Sequence, residues 1–325
     1  MPAQSRLETL VTVFGGSGFL GRHVVRALAN RGYRIRVAVR RPELTGYLRP
    51  MGRVGQIHAV QANVRFATSI LAALRDADVA VNLVGILFER GRQRFDAVHS
   101  AGAEAVAVAS QGAGARLVHV SALGVDASSP SRYARSKAEG ERRVLAAAAA
   151  ATIMRPSLVF GPEDDFLNRF AALARIAPAL PLPGGGHTRI QPVFAGDVAE
   201  AIARAVDGEA KPGTIYELGG PDVRSFRELM EFILATIARE RLLVPVPFAA
   251  LKLQAQFAQF WPKPPITPDQ VELLKSDNVV SEAARRERRT LEGLGIAPET
   301  LAAIAPTYLW RFRKTGQFNP HTAER

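Results

Sequence analysis

Residues 10–31, LVTVFGGSGFLGRHVVRALANR, constrain the fold of this chain more than any other stretch. Leu10 to Phe14 has the length and β-branched content of a buried strand, and it stops at Gly15-Gly16-Ser17-Gly18. Phe19, Leu20, Val24 and Leu28 then recur at helical spacing. A pyrophosphate can rest on the first N–H groups of a helix only where the chain turns tightly and no Cβ blocks its approach. Gly15 and Gly18 meet those demands, and Gly21 lets the helix pack close to the strand. Ser17, Phe19 and Leu20 complete the candidate cofactor-binding loop. Strand, glycine turn and helix together separate a dinucleotide-binding fingerprint from a chance run of glycines. The spacing is G-x-x-G-x-x-G, one residue longer between the first two glycines than G-x-G-x-x-G, which points to one branch of such folds.

The next strand candidate is Arg34 to Val39, in which Ile35, Val37 and Val39 alternate with Arg34, Arg36 and Ala38. An acidic residue about 20 positions past the glycines would bind the ribose 2′-OH of NAD, whereas arginine suits the 2′-phosphate of NADP. The chain has Arg40-Arg41 there, and no carboxylate to repel a phosphate. The reading is NADP(H), held as NADPH, in preference to NAD(H); the alternative is two solvated arginines ahead of Pro42.

Gln56 to Val64 reads as a third strand and Ala77 to Val84 as a fourth. A helix is expected over Phe95 to Gly112, then a fifth strand from Arg116 to Val120 that ends at Ser121. Strands alternating with helices at this rhythm predict an α/β fold, a doubly wound parallel sheet with its site at the carboxyl ends of the strands. Tyr133 and Lys137 follow, four residues apart. On a helix starting near Tyr133 both share one face. A lysine ammonium there can draw a tyrosine pKa down from about 10, making the phenol a usable general acid or base. The same lysine could hold a nicotinamide ribose. The alternative is a helix-surface tyrosine beside a solvated lysine.

With these elements in place, the chain resembles the extended short-chain dehydrogenase/reductases. The resemblance rests on Gly15 to Gly21, Asn82-Leu-Val-Gly85, Tyr133 with Lys137, and Arg155-Pro156-Ser-Leu-Val-Phe-Gly161-Pro162. It also rests on Gln191-Pro-Val-Phe-Ala-Gly-Asp197-Val-Ala, Tyr216-Glu-Leu-Gly-Gly-Pro221 and Ser225-Phe226-Arg-Glu-Leu229, so it covers about residues 10–235. It implies an NAD(P)-binding Rossmann domain over 1–161, with 189–220 returning to the sheet, and a smaller, mostly helical carboxyl-terminal domain over 162–325. It further implies that Val84 and the Pro156 to Val159 segment line the nicotinamide end of the cofactor, with Asn63 and Val64 on the adenine side and Ser121 near the reacting end.

The departures matter as much. Redox-active members place a Ser or Thr two residues beyond the first serine after strand five, where it bonds the reacting oxygen. This chain has Ser121-Ala122-Leu123, so that donor is lost unless Ser121 substitutes. An asparagine common on the preceding helix is matched by His99, and the adenine-side aspartate by Asn63. Removing one preorganised donor to a reacting oxygen costs about 10² to 10³ in rate. The missing serine beside a retained Tyr and Lys, the basic end of strand two and the long tail are similar to the alpha subcomplex subunit nine family of respiratory complex I. That resemblance implies a tightly held NADPH with a structural role, complex I subunits as partners, and attachment near the membrane and quinone region. A neighbouring branch is implicated in ubiquinone biosynthesis. The other reading is an oxidoreductase or epimerase/dehydratase acting on a quinone precursor, lipid or nucleotide sugar, with Tyr133 as acid/base and Lys137 as its electrostatic partner.

Composition bounds these readings. Cysteine is absent, so neither disulfides nor thiolate metal sites can form. The net charge of +12 comes mainly from arginines spread along the chain, and no recognition helix or aromatic-basic platform marks a nucleic-acid module. A basic surface favours anionic partners, including an acidic membrane face. No signal peptide or spanning segment is evident, so the expected location is cytoplasmic, peripheral on the inner face of the cytoplasmic membrane at most. In the tail, Pro245 to Trp261 reads as an amphipathic helix carrying Phe248, Leu251, Leu253, Phe257, Phe260 and Trp261, suited to a partner, a membrane or the protein's own core. Arg285 to Arg289 reads as a solvated helix face, the alternative being contact with phospholipid or an acidic protein, Pro306 to Phe318 as a second docking candidate, and Pro178 to Gly186 as a loop near the substrate cleft.

Overall fold

The computed structural model describes residues 6–258 and 266–316. By internal contacts the chain divides into two units, Met1–Pro156 with Ala195–Leu218 and Ser281–Ala297, and Ser157–Phe194 with Gly219–Val280 and Pro298–Arg325.

The first unit is built on β1 (Leu10–Phe14), whose five residues are all buried, followed by α1 (Phe19–Asn30) and β2 (Arg34–Val39). The chain continues through β3 (Ile57–Gln61), α2 (Ala67–Leu74), β4 (Val79–Asn82), α3 (Ala101–Gly112), β5 (Arg116–Val120), α4 (Arg132–Ala147) and β6 (Thr152–Pro156). Ile215–Leu218 supplies a seventh strand beside β6, and the order from there is β6, β5, β4, β1, β2, β3. Every pairing is parallel. The chain runs outward from β1 through β2 and β3, then crosses to β4 and proceeds the other way. The carboxyl ends of β1 and β4 therefore flank the point where a doubly wound sheet opens a crevice.

On one face, Phe14, Ile70, Leu74, Val106, Leu117 and Val144 form a continuous core with α2, α3 and α4. On the other, the helix Ala195–Asp207 packs along α1, where Arg31 bonds both Glu200 and Asp207 and the Tyr33 hydroxyl donates to Asp207.

The third and fourth strands end earlier than the hydrophobic runs suggest. Past Gln61 the Asn63 side chain accepts the Arg65 N–H, and past β4 the Asn82 side chain accepts the Val84 N–H. Such side-chain turns take the backbone out of the ladder. The helix expected from Phe95 begins instead with a π-turn, Asp96–Ser100, before α3. Ser281–Ala297, which the sequence reading placed in the smaller domain, belongs to the sheet unit. Ser281 N–H donates to Glu217, Glu217 N–H to the Arg289 carbonyl, and the Arg289 guanidinium to the Ile215 carbonyl. That role also removes Arg289 from the expected solvated face: the helix there ends at Arg286, and Arg288 takes a positive φ.

The second unit is mostly helical, with Phe160, Leu180, Leu182, Phe226, Ile233 and Leu309 in its core. Residues 178–186 are not a loop: Ala179–Pro183 is a strand pairing in parallel with Leu242–Val246, with Leu180 and Leu182 turned into the core. The expected helix from Pro245 accordingly starts at Phe248 and runs to Ala258, burying Leu251 and Ala255 and exposing Leu253 and Phe257; Phe260 and Trp261 lie outside the described residues. Pro306–Leu309 does not offer its aromatic side chain for docking, because Tyr308 and Leu309 are buried and the Tyr308 hydroxyl donates to Asp164 at 2.7 Å. Phe318 lies outside the described residues. Among the described residues no helix is long and apolar enough to cross a membrane, and no group of His, Asp and Glu is arranged to hold a metal ion.

Candidate functional site

The glycine turn sits where β1 ends. Gly15 has φ +78° and donates its N–H to the Ala38 carbonyl at the end of β2. A Cβ at Gly15 would stand 3.3 Å from Val84 Cγ2, just past β4. Gly18 caps α1 and donates to the Gly15 carbonyl, while a Cβ at Gly21 would lie 2.4 Å from that same oxygen. The close packing inferred from the sequence for the third glycine is therefore a steric necessity. Ser17, Phe19 and Leu20 are partly exposed around this turn. No acidic side chain occupies the first turn of α1, so the positive end of the helix is uncompensated there.

Arg40 and Arg41 follow β2 and are exposed, Arg41 capping a 3-10 segment, Pro42–Met51. At the end of β3, Asn63 is occupied by its own turn and Val64 is buried against Gly102.

The other end of the site lies beyond β4 and β5. Lys137, 5% exposed, donates from Nζ to the Val120 carbonyl at 3.2 Å, and a Cβ at Gly85 would be 3.4 Å from the same nitrogen. Burial pulls its pKa down from 10.5 to about 8, with Glu141 opposing. Glu141 is in turn held by Arg155, at 2.9 and 2.5 Å. Tyr133, one turn earlier on α4, is half-buried with its ring edge-on to Phe95 and to His99. The structure thus places Tyr133 and Lys137 on one helix, with Lys137 at the ends of β4 and β5.

His99 sits in the π-turn and locks three segments together. Its Nε2 accepts the Ile86 N–H at 3.0 Å, which places the ring proton on Nδ1, facing Ser136 Oγ at 2.9 Å. The Ser136 hydroxyl donates in turn to the Tyr133 carbonyl. Burial holds His99 neutral, with its pKa lowered to about 2 and Lys137 contributing. His119 is a second buried neutral imidazole, its pKa lowered to about 3 by burial and then by Lys137. Asn82 spends its carbonyl on Val84, so its amide donates to His119 Nδ1 at 3.2 Å. The proton then lies on His119 Nε2, which has no hydrogen-bond partner among the described residues. Sequence reasoning missed His119; the signal was a histidine inside an otherwise apolar strand.

Ser121 Oγ is likewise buried and has no partner among the described residues. Leu123, two residues on, is buried and donates its N–H to the Pro156 carbonyl, so a hydrocarbon side chain follows Ser121 at the register predicted from the sequence. Pro156 closes β6, whereas Val159 belongs to the second unit, in a two-residue pairing with Val193–Phe194. A cavity of about 680 Å³ lined by Arg6, Arg31, Met51 and Arg53 lies at the far end of α1 from the glycine turn and holds none of these residues.

The residues of the sheet unit fit a dinucleotide. The glycine turn is a cradle that side chains would fill, and Ser121 offers a buried hydroxyl without a partner. The comparisons with known proteins agree. Residues 11–219 match the NAD dependent epimerase/dehydratase family. The chain is similar to NADH dehydrogenase (ubiquinone) 1 alpha subcomplex subunit 9 of Arabidopsis thaliana, 37% identical over 320 residues that cover 94% of this chain and 79% of the relative. It is also similar to a ceramide reductase of Caulobacter vibrioides, 36% identical over 173 residues, 53% of each chain. Among solved structures, the NADPH-dependent quinone oxidoreductase QOR2 of Escherichia coli, complexed with NADPH, superposes with a TM-score of 0.72 at 19% identity over 92% of this chain and 99% of that one, a likeness of fold. The chain belongs to the NAD dependent epimerase/dehydratase family, with a Rossmann-type NAD(P)-binding fold, among the homologues of the complex I alpha subcomplex subunit 9.

Proposed function

We propose that this chain is an NADP(H)-binding accessory component associated with respiratory complex I, which keeps its cofactor as part of its structure. The observation that carries the reading is Leu123: the cradle at Gly15 to Gly21 is complete, while a buried hydrocarbon stands where a redox member of the family has its hydroxyl. In this reading the glycine turn holds the pyrophosphate, Arg40 and Arg41 face the 2′-phosphate, and Asn63 and Val64 border the adenine. Val84, Ser121, Tyr133, Lys137, Pro156 and Val159 serve the nicotinamide end. Lys137 anchors the ribose, and its burial favours a ligand that brings acceptors for its remaining protons. Relatives named as complex I alpha subcomplex subunit 9 support complex I subunits as partners, and the net charge of +12 favours a place beside an anionic membrane face.

A second reading, a reductase acting on a lipid, quinone precursor or nucleotide sugar, is favoured by Tyr133 and Lys137 standing one turn apart on α4 and by the ceramide reductase relative. A reduced nicotinamide, when bound, would supply the hydride and be oxidised, and Tyr133 would give the proton to the carbonyl oxygen. Denaturing the purified protein, identifying the released nucleotide and following its oxidation state with carbonyl and quinone compounds tests the choice. NADPH that is retained and unreacted is the expected result. Free exchange, with oxidation by one substrate class, would establish the reductase instead.

A further inference from the structure

The sequence offers Arg40 and Arg41 as the cations for the cofactor's 2′-phosphate, yet both are exposed side chains at the end of β2. The structure builds something firmer beside them. In the first turn and a half of α1, the Arg22 N–H bonds the Gly18 carbonyl, so its Cα is tied to the glycine turn. Its guanidinium lies over the ring of Tyr47, 5.1 Å from the centroid. Tyr47 comes from the 3-10 segment after Arg41, and its hydroxyl donates to the Ser17 carbonyl at 2.6 Å, within the glycine turn. The pair therefore bridges α1, the glycine turn and the segment that follows β2. These are the elements that border an adenosine ribose in a doubly wound sheet.

We propose that Arg22, held over the ring of Tyr47, is the residue that sets the preference for a 2′-phosphorylated dinucleotide, with Tyr47 as its positioning residue. A guanidinium held over an aromatic ring gives up less freedom on meeting a phosphate than an exposed arginine does, and its planar fork matches phosphate geometry. The Tyr47–Ser17 hydrogen bond fixes that edge relative to the turn that carries the pyrophosphate. Arg40 and Arg41, which lie over no aromatic ring among the described residues, add long-range attraction that salt screens.

This inference rests on the NADP(H) reading above, and the test separates the two. Binding of NADPH, NADH, 2′,5′-ADP and 5′-ADP is measured by calorimetry on the wild-type protein stripped of nucleotide and on Arg22→Gln, Arg22→Lys, Tyr47→Phe and Arg40→Gln, alongside the nucleotide content of each protein as purified. Arg22→Gln is expected to weaken NADPH and 2′,5′-ADP by about tenfold to a hundredfold while leaving NADH, and any 5′-ADP binding through the pyrophosphate site, within about threefold. Arg22→Lys should recover part of the loss. Tyr47→Phe, which keeps the ring and removes the tie, should reduce the NADPH to NADH ratio less than Arg22→Gln does. A wild-type protein with equal affinity for both nucleotides would overturn the NADP(H) reading and the inference with it. A wild type that discriminates, with the ratio kept in Arg22→Gln and lost in Arg40→Gln, would overturn the inference alone.

Discussion

Gly140 on α4 lies against the main-chain carbonyl of His99, so close that a Cβ at position 140 would stand 2.0 Å from the oxygen. The π-turn that carries His99 and the helix that carries Tyr133 and Lys137 can meet in this way only because residue 140 has no side chain. Alanine in place of glycine inside a helix normally gains about 1 kcal/mol. Here the clash should reverse the sign. Gly140→Ala is expected to destabilise the protein by about 1–3 kcal/mol, the cost of overpacking a filled contact, as measured by urea unfolding. A more stable variant would show that the two elements separate freely.

The two buried imidazoles make the sheet unit sensitive to acid. His99 and His119 hold folded pKa values of about 2 and about 3, against 6.5 unfolded. Between those limits the unfolded chain binds protons that the folded chain refuses, so their contribution to stability is present above pH 6.5 and is lost as the pH falls toward the folded values. Each should cost about 1.4 kcal/mol per pH unit over that window. His119→Gln and His99→Gln should each flatten the decline in unfolding free energy between pH 6 and 4 relative to wild type. Parallel curves would mean the imidazoles are not excluded from protonation.

Much of this arrangement was legible in the sequence, because local rules and the global fold agree at β1, the glycine turn and α1, and again at Tyr133 and Lys137. The misreadings lie where long-range contacts decide. Ala179–Pro183 contains two prolines and reads as a loop, but it becomes a strand through pairing with Leu242–Val246, some sixty residues away. Ser281–Ala297 joins the sheet unit through hydrogen bonds to Ile215 and Glu217 that no periodicity announces. The contact of Arg22 with Tyr47 joins α1 to the 3-10 segment that follows β2, so neither residue stands out alone.

Lys137 should matter for ligand binding and little for folding. Its buried ammonium donates to the Val120 carbonyl, and burial opposes its charge. Burying a charge costs stability unless it is fully paired and hydrogen-bonded, and an apolar side chain of similar length removes that cost. Lys137→Met is expected to keep or raise the melting temperature of the nucleotide-free protein while weakening NADPH by about tenfold or more, in line with a lost charged hydrogen bond. A variant that melts earlier and still binds normally would make Lys137 a structural residue.

Leu123 decides between a resident cofactor and a turning one. Its side chain is buried and its N–H is fixed to the Pro156 carbonyl, so the backbone at this position is already held between the ends of β5 and β6. Threonine there would restore a hydroxyl without moving the main chain, at a cost of about 1–3 kcal/mol for the lost apolar burial. If Tyr133 and Lys137 remain arranged for proton transfer and only the oxygen donor is missing, Leu123→Thr should raise NADPH oxidation with carbonyl compounds by about 10²-fold over wild type. Adding Tyr133→Phe should abolish the gain. Oxidation that stays at the wild-type level in a folded, NADPH-bound Leu123→Thr protein would place the barrier elsewhere. A wild-type protein that already turns over rapidly would show that Ser121, with its buried and unmatched hydroxyl, supplies the donor instead.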